Sequence, residues 1–358
     1  MRKLASIQEV ISIQPIKDAD RIELVTVQGW NVIVKKDEFK IGDKVIYVEI
    51  DSVLPEKPEF EFLRSKKFKI KTQKLRGVYS QGICFPLSYL KKDSDKYKVG
   101  DDVTSELGVY KFDPEGEEEK LQVNPKNFLM KYSWFRKLVL KKKNKDAFPP
   151  WFPKTDETRI QNLLSIFEQQ WKNTSGWSVS YKLDGQSGSY FTKTVPVKKW
   201  FFFPSKEKIF GVCSRNIWLK TKHSCNHWDV ALKFDIENIL RRVPHDILIQ
   251  GEILGPKIQK NIHKVSSLDF YVFNVTNLET GEKFSNKEVA RFCKAMGLKH
   301  VPYVTHDFTL PNSINEIVEY STGKDILNTL TYREGFVFRK DNHSFKCINP
   351  EYLVKNDL

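Results

Sequence analysis

Cysteine is scarce. The chain has five in 358 residues, at Cys84, Cys213, Cys225, Cys293 and Cys347, odd in number and widely spread. This excludes a disulfide-stapled scaffold and fits a reducing compartment. Long apolar runs are missing too. The densest, Trp200-Phe-Phe-Phe203, stops at Pro204, far short of the ~20 residues that span a bilayer. The segment Met1 to Gln8 lacks the apolar core of a secretion signal. There is no internal repeat and no low-complexity tract. An intracellular, soluble protein is expected, cytoplasmic or viral, with no membrane partner.

What is present is a globular composition, 40% hydrophobic and 13% aromatic, which excludes a disordered chain. The length suggests two domains. The formal net charge of +14 favours polyanionic partners such as nucleic acid or phosphate-rich substrates.

Residues 1–110 read as short strands and turns. Ile22–Val27 and Trp30–Val34 flank a Gln28-Gly29 turn, Val45–Ile50 follows a turn at Ile41–Lys44, and Gly82–Phe85 ends at Pro86. Such spacing predicts a small barrel or sandwich. Residues 111–150 change character and read as a linker with a basic helix. They run from acidic Glu115–Glu119 through cationic Lys141–Lys145 to the helix-blocking Phe148-Pro-Pro-Trp-Phe-Pro153. From 151 to 358 helical and strand patterns mix. Asp156–Phe167 and Asn286–Met296 look helical, the latter ending at Gly297. Ser178–Tyr181, Ile247–Gln250 and Phe270–Val275 look like strands.

Tyr181-Lys182-Leu183-Asp184-Gly185 places a lysine at a strand end beside an Asp-Gly turn, a weak signal alone. Downstream stand Ser214-Arg215-Asn216, Gly251-Glu252, Phe270–Val275, Glu334-Gly335 and a segment around Lys346. This ordered set resembles the covalent nucleotidyltransferase superfamily of polynucleotide ligases and capping enzymes. Gly251–Lys260 is similar to RNA ligases. Ala19-Asp20-Arg21, Asp51-Ser-Val-Leu-Pro55, Leu75–Gly82 and Lys154–Asn162 resemble the fifth RNA ligase family. The resemblance thus covers nearly the whole chain.

It implies an α+β protein: an N-terminal OB-fold β-barrel, then an ATP-grasp-like nucleotidyltransferase domain of antiparallel sheets and helices. It implies an ATP-dependent RNA ligase, with Lys182 as the nucleophile that becomes a lysyl-AMP. The AMP would pass to an RNA 5′-phosphate, and a 3′-OH would then displace it. Mn2+ or Mg2+ would be held by Asp184, Glu252 and Glu334, directly or through water, with Glu252 alternatively on the AMP ribose. Phe273 would stack on adenine, with Phe270 the alternative. Arg215 would meet the ribose or RNA end, and Arg159 a phosphate or a surface carboxylate. The substrate would be nicked duplex, including RNA/DNA hybrids, and the enzyme a monomer.

The residue types suit this chemistry. An ordinary lysine, with a pKa of about 10.4, is protonated at neutral pH. A nearby cation, whether divalent metal or Lys346, would free its amine. Metal and Lys346 would also offset charge on the reacting phosphate. The family often carries two lysines around this position, separated by one residue. Here Ser344 and Ile348 flank Lys346 at that spacing, which leaves Lys340 as a candidate partner in space.

Other readings stay open. His223-Ser-Cys225-Asn-His227 alternates zinc-type ligands, with Cys213 as the nearby candidate for a fourth; the default reading of the cluster is a plain loop. Leu63–Arg76 mixes cations with Phe68, as strand-binding OB surfaces do. The rival functions are a DNA ligase or capping-type transferase, and a non-catalytic RNA-binding OB protein. The first rival usually places its OB domain after the transferase domain. The second is disfavoured by the intact Lys182, Asp184, Glu252 and Glu334.

Overall fold

The computed structural model describes residues 3–90, 96–112, 148–153, 155–199, 203–220 and 225–356. Most of the expected linker, the Lys141–Lys145 run and His223 lie outside the described residues.

The N-terminal half holds β1 (Ala5–Pro15), β2 (Ile22–Val27), β3 (Trp30–Lys35), β4 (Lys44–Val48), β5 (Ser52–Val53), β6 (Thr72–Leu75), β7 (Val78–Gln81), β8 (Ile83–Pro86) and β9 (Tyr110–Lys111). Five of these form one sheet in the order β3-β2-β1-β4-β8. β1 pairs with β4 over Ala5–Glu9 and with β2 over Val10–Pro15, and its register shifts between Val10 and Ser12. A shift of this kind bends a strand and curls its sheet, so one strand serves both sides of a half-barrel around Val25, Trp30, Val32 and Ile46. In the basic segment Leu63–Arg76, Phe68 points into this core and is buried. It is therefore unavailable for stacking on a base.

The C-terminal half holds β10 (Trp177–Lys182), β11 (Gln186–Lys199), β12 (Phe203–Cys213), β13 (Ile247–Leu254), β14 (Asp269–Asn277), β15 (Lys299–His300), β16 (Tyr303–Phe308), β17 (Gly335–Lys340) and β18 (His343–Ile348). They build two sheets, β16-β10-β17-β18 and β12-β11-β13-β14-β15. Every pairing is antiparallel except β14 with β15. The chain crosses from one sheet to the other at Leu183–Gly185, between β10 and β11. The helix Asn286–Met296 covers the larger sheet. Ser285 and Glu288 close a capping box at its start, and Gly297 ends it at φ 69°. Among the described residues, no helix is long and apolar enough to cross a membrane.

Asp156–Phe167 departs from the expected helix. Helical structure begins only at Ile160, as a 3-10 turn, and runs on to Trp171. The reason is competition for the backbone. The Lys346 N–H donates to the Thr158 carbonyl at 2.8 Å, and Arg159 bridges to Lys346 as an extended strand residue. With Arg159 held extended at φ −71° and ψ 139°, helical turns cannot form until Ile160.

The two halves are packed against each other. Ile262, Ile348, Tyr352 and Leu353 join the N-terminal core, and burying an aliphatic side chain contributes roughly 1.5–3 kcal/mol. Polar contacts fix the register: Gly29 N–H donates to the Gln161 carbonyl at 3.1 Å, and Asn162 Nδ2 to Glu49 Oε1 at 2.7 Å. Lys74 Nζ lies 2.7 Å from Glu351 Oε1, which also accepts from the Tyr79 hydroxyl.

Gly335 opens β17 opposite Lys182 with φ 151°, and a Cβ there would lie 2.1 Å from the Cys347 carbonyl oxygen. Gly335→Ala is expected to cost roughly 2 kcal/mol or more by strain and clash, read as a fall in Tm. An unchanged Tm would show that β17 and β18 do not need this close approach.

Candidate active site

Lys182 is the last residue of β10, where the chain leaves one sheet for the other. Leu183 is buried against Leu254 and Val301 and anchors the turn. A Cβ on Gly185 would stand 2.4 Å from the Ile253 carbonyl oxygen. Only glycine therefore lets the turn lie against β13, the strand that carries Glu252. Lys182 Nζ lies 2.7 Å from Glu334 Oε1, and 28% of the lysine side chain remains exposed. Glu334 Oε2 is buried and has no hydrogen-bond partner.

Carboxylates dominate the electrostatics of Lys182. Burial pushes its pKa down, but the charges of Glu334, Glu252 and Asp184 outweigh burial and leave it raised. The amine is an ammonium gripped by carboxylates. Burial, then the Glu334 charge, raises the Asp184 carboxyl. The Tyr352 hydroxyl and the Lys182 charge partly offset this.

Lys346 is the depressed lysine. Burial, then the charges of Lys182 and Arg159, push it down to about 7. Arg159 is 8% exposed; its Nη2 lies 3.0 Å from Asp51 Oδ2, on the N-terminal half. The Arg159 Nε and Nη1 groups are buried without partners. This is not the surface ion pair that was one reading of Arg159. Two unmatched donors and a buried amine make a surface that an oxyanion satisfies. Lys340 does not join it, since its Nζ donates to the Ser175 carbonyl at 2.7 Å. The second cation beside Lys346 is Arg159. Arg215 Nη2 reaches both Asp156 oxygens at 2.7 and 2.8 Å. Although burial opposes it, the Arg215 contact lowers the Asp156 carboxyl to about 2, with help from the Lys346 charge.

Alternation along β14 separates the two phenylalanines. Phe270 is 1% exposed, edge-on to Tyr190 at 5.1 Å, and belongs to the core under the helix Asn286–Met296. That removes the alternative adenine platform. Phe273 lies on the other face, half-buried with Leu183, Leu254, Tyr181 and Tyr271 beside the Lys182 turn. His227 is buried, and its Nε2 lies 3.0 Å from the Ser187 carbonyl. Cys213 is wholly buried, and burial raises its thiol pKa. Among the described residues, no three His, Cys, Asp or Glu side chains group closely enough to hold a metal directly. The acceptor set of Asp184, Glu252 and Glu334, with one unmatched oxygen on Glu334, therefore suits a hydrated hard cation reached through water.

Sequence reasoning missed His263, Asp325, Tyr352, Asp51 and Trp30. The Trp30 ring lies 5.7 Å from the Arg159 guanidinium carbon. Only Asp51 stood in a segment already marked by resemblance; the others carry no local pattern.

The comparisons with known proteins agree with this geometry. An OB-fold domain model matches residues 4–87, and an RNA ligase model matches residues 175–355. No curated protein matches the chain. Among solved structures, the Naegleria gruberi RNA ligase with PPi is 30% identical with a TM-score of 0.80, covering 99% of this chain and 98% of that one. A variant of that ligase with ATP and Mn is 30% identical at TM-score 0.80, covering 98% of each chain. Another variant, with AMP and Mn, is 29% identical at TM-score 0.80, covering 99% of this chain and 100% of that one. With an RNA ligase model over half its length and this likeness along nearly all of it, the chain belongs to the RNA ligase family.

Proposed function

We propose that this is an ATP-dependent RNA ligase in which Lys182 carries the AMP. The observation that carries the reading is the Lys182–Glu334 pair set near the buried, partly unmatched Arg159 and Lys346. The Naegleria gruberi structures hold ATP or AMP with Mn, which supports the same pair here.

In the first step the Lys182 Nζ lone pair attacks the α-phosphorus of ATP. The N–P bond forms, and the bond to pyrophosphate breaks. Lys182 must first lose the proton that the carboxylates stabilise. Asp184, Glu252 and Glu334 would hold a hydrated divalent cation, manganese or magnesium, whose charge would compete for the carboxylates and lower the lysine pKa. Arg159 and Lys346 take the phosphate oxygens, with Arg159 aimed by Asp51. Phe273 offers its face to adenine, and Arg215 the ribose or RNA end. AMP then passes to an RNA 5′-phosphate, and attack by a 3′-OH closes the phosphodiester and releases AMP. The substrate we propose is a nicked duplex whose 3′-OH strand is RNA, with DNA accepted elsewhere, acted on by a monomer. We place the OB domain at 1–110 and the transferase domain at 151–358.

Incubation with labelled ATP and manganese should leave label on the protein, and Lys182→Ala should abolish both this and nick sealing. Label from GTP alone, or sealing by Lys182→Ala, would overturn the reading. Lys346 gives a second expectation. With a folded pKa near 7, below the unfolded value, it costs stability fully below pH 7. That cost falls as pH rises toward 10, by at most about 1.4 kcal/mol per pH unit. Lys346→Met should therefore raise Tm near pH 7, and its advantage over the native protein should shrink by pH 9. A gap independent of pH would show that Lys346 is not depressed.

A further inference from the structure

We propose that His263, backed by Asp325, is a positioning residue that fixes the turn after Lys182 and so sets where the Asp184 carboxylate stands. This rests on the roles given to Lys182 and Asp184 above.

The Asp184 backbone N–H meets His263 Nε2 at 3.0 Å. A backbone N–H can only donate, so Nε2 is the acceptor and the ring proton sits on Nδ1. Nδ1 lies 2.9 Å from Asp325 Oδ2, with the two side chains 1% and 0% exposed. Asp325 Oδ2 also accepts from the Leu327 N–H at 3.0 Å and the Asn328 N–H at 2.9 Å. Asn328 Nδ2 returns to the carbonyl of Ile262, the residue before His263, at 2.6 Å. The imidazole is therefore fixed in tautomer and orientation from both sides.

The loop that delivers His263 is strained. Gln259, Asn261 and Lys264 have φ of 47°, 44° and 50°, and none is glycine. Such conformations persist only where the surroundings over-determine them. Asn261 supplies part of that restraint, exchanging hydrogen bonds with Val265 at 3.1 Å in both directions. The connections explain why the strain is worth keeping. His263 follows β13, which carries Glu252, and Asp325 lies just upstream of Glu334. One imidazole thus ties the segments of all three carboxylates to the turn that bears the nucleophile. A purely structural histidine could spend its second nitrogen on any buried donor; this one spends it on the Asp184 main chain.

The test compares full-length native protein with His263→Leu and His263→Gln; the glutamine oxygen can still accept from the Asp184 N–H. Three quantities are read: the single-turnover rate of protein labelling by ATP, the manganese concentration giving half that rate, and hydrogen exchange of the peptide spanning Leu183–Gly185. The leucine variant should label about 10- to 100-fold more slowly, the usual cost of losing an outer-shell partner. It should need more manganese and exchange Asp184 faster. The glutamine variant should recover most of the rate and the protection. Native exchange and rate in the leucine variant, or equal damage in both variants, would overturn the proposal. If the leucine variant does not fold, Asp325→Ala carries the same expectation of faster Asp184 exchange and slower labelling, and native values there overturn it. Mapping the label in digests of the native protein keeps the questions apart. Label on a residue other than Lys182 would sink the reading of the site, whatever the His263 variants do.

Discussion

The site depends on charge crowded into a half-buried space. Asp184, Glu252 and Glu334 come from three segments, and like charges brought together repel unless a cation stands among them. Lys182 is the cation that lets them converge, and they in turn hold it protonated. This arrangement stabilises the resting protein and opposes its chemistry, because a gripped ammonium is not a nucleophile. The same contacts therefore make the site responsive: whatever positive charge reaches the carboxylates releases the amine. Lys346 answers the same field in the opposite sense: burial, then the charges of Lys182 and Arg159, push its pKa down.

The second constraint is that the site belongs to no single half of the chain. Asp51 aims Arg159, Glu49 holds Asn162, and Tyr352 donates to Asp184 from a helix seated in the N-terminal core. The N-terminal half thus orients the buried guanidinium of Arg159. The β-bridge between Arg159 and Lys346 completes the tie, fixing the two cations in register through their backbones.

Much of this was legible in the sequence, for definable reasons. Ile22–Val27 and Trp30–Val34 declared themselves through alternation and the turn between them, and Asn286–Met296 through its closing glycine. The Lys182 turn and its carboxylates stood out through the ordered motifs that resemble the nucleotidyltransferases, since the Asp-Gly turn alone is a weak signal. The long strand β1 was not, because its two halves pair with different partners and bury different faces. The helix expected from Asp156 was misplaced because Thr158 bonds to a strand nearly two hundred residues away, which no local window contains. His263 and Asp325 stayed hidden for the same reason. A histidine chosen to accept one backbone hydrogen bond leaves no periodic trace.

The Thr158–Lys346 bond has a further consequence, in the order of assembly. It joins the segment just ahead of the transferase strands to one of the last strands made. Closing so large a loop comes late, because its entropy must be offset by contacts already formed. Until it closes, Arg159 and Lys346 are not held side by side. The Lys182–Glu334 pair needs a closure of similar span, since Lys182 meets Gly335 across neighbouring strands. Both ties join the start of the C-terminal half to its final hairpin, so the site is completed by the same closure that completes the fold.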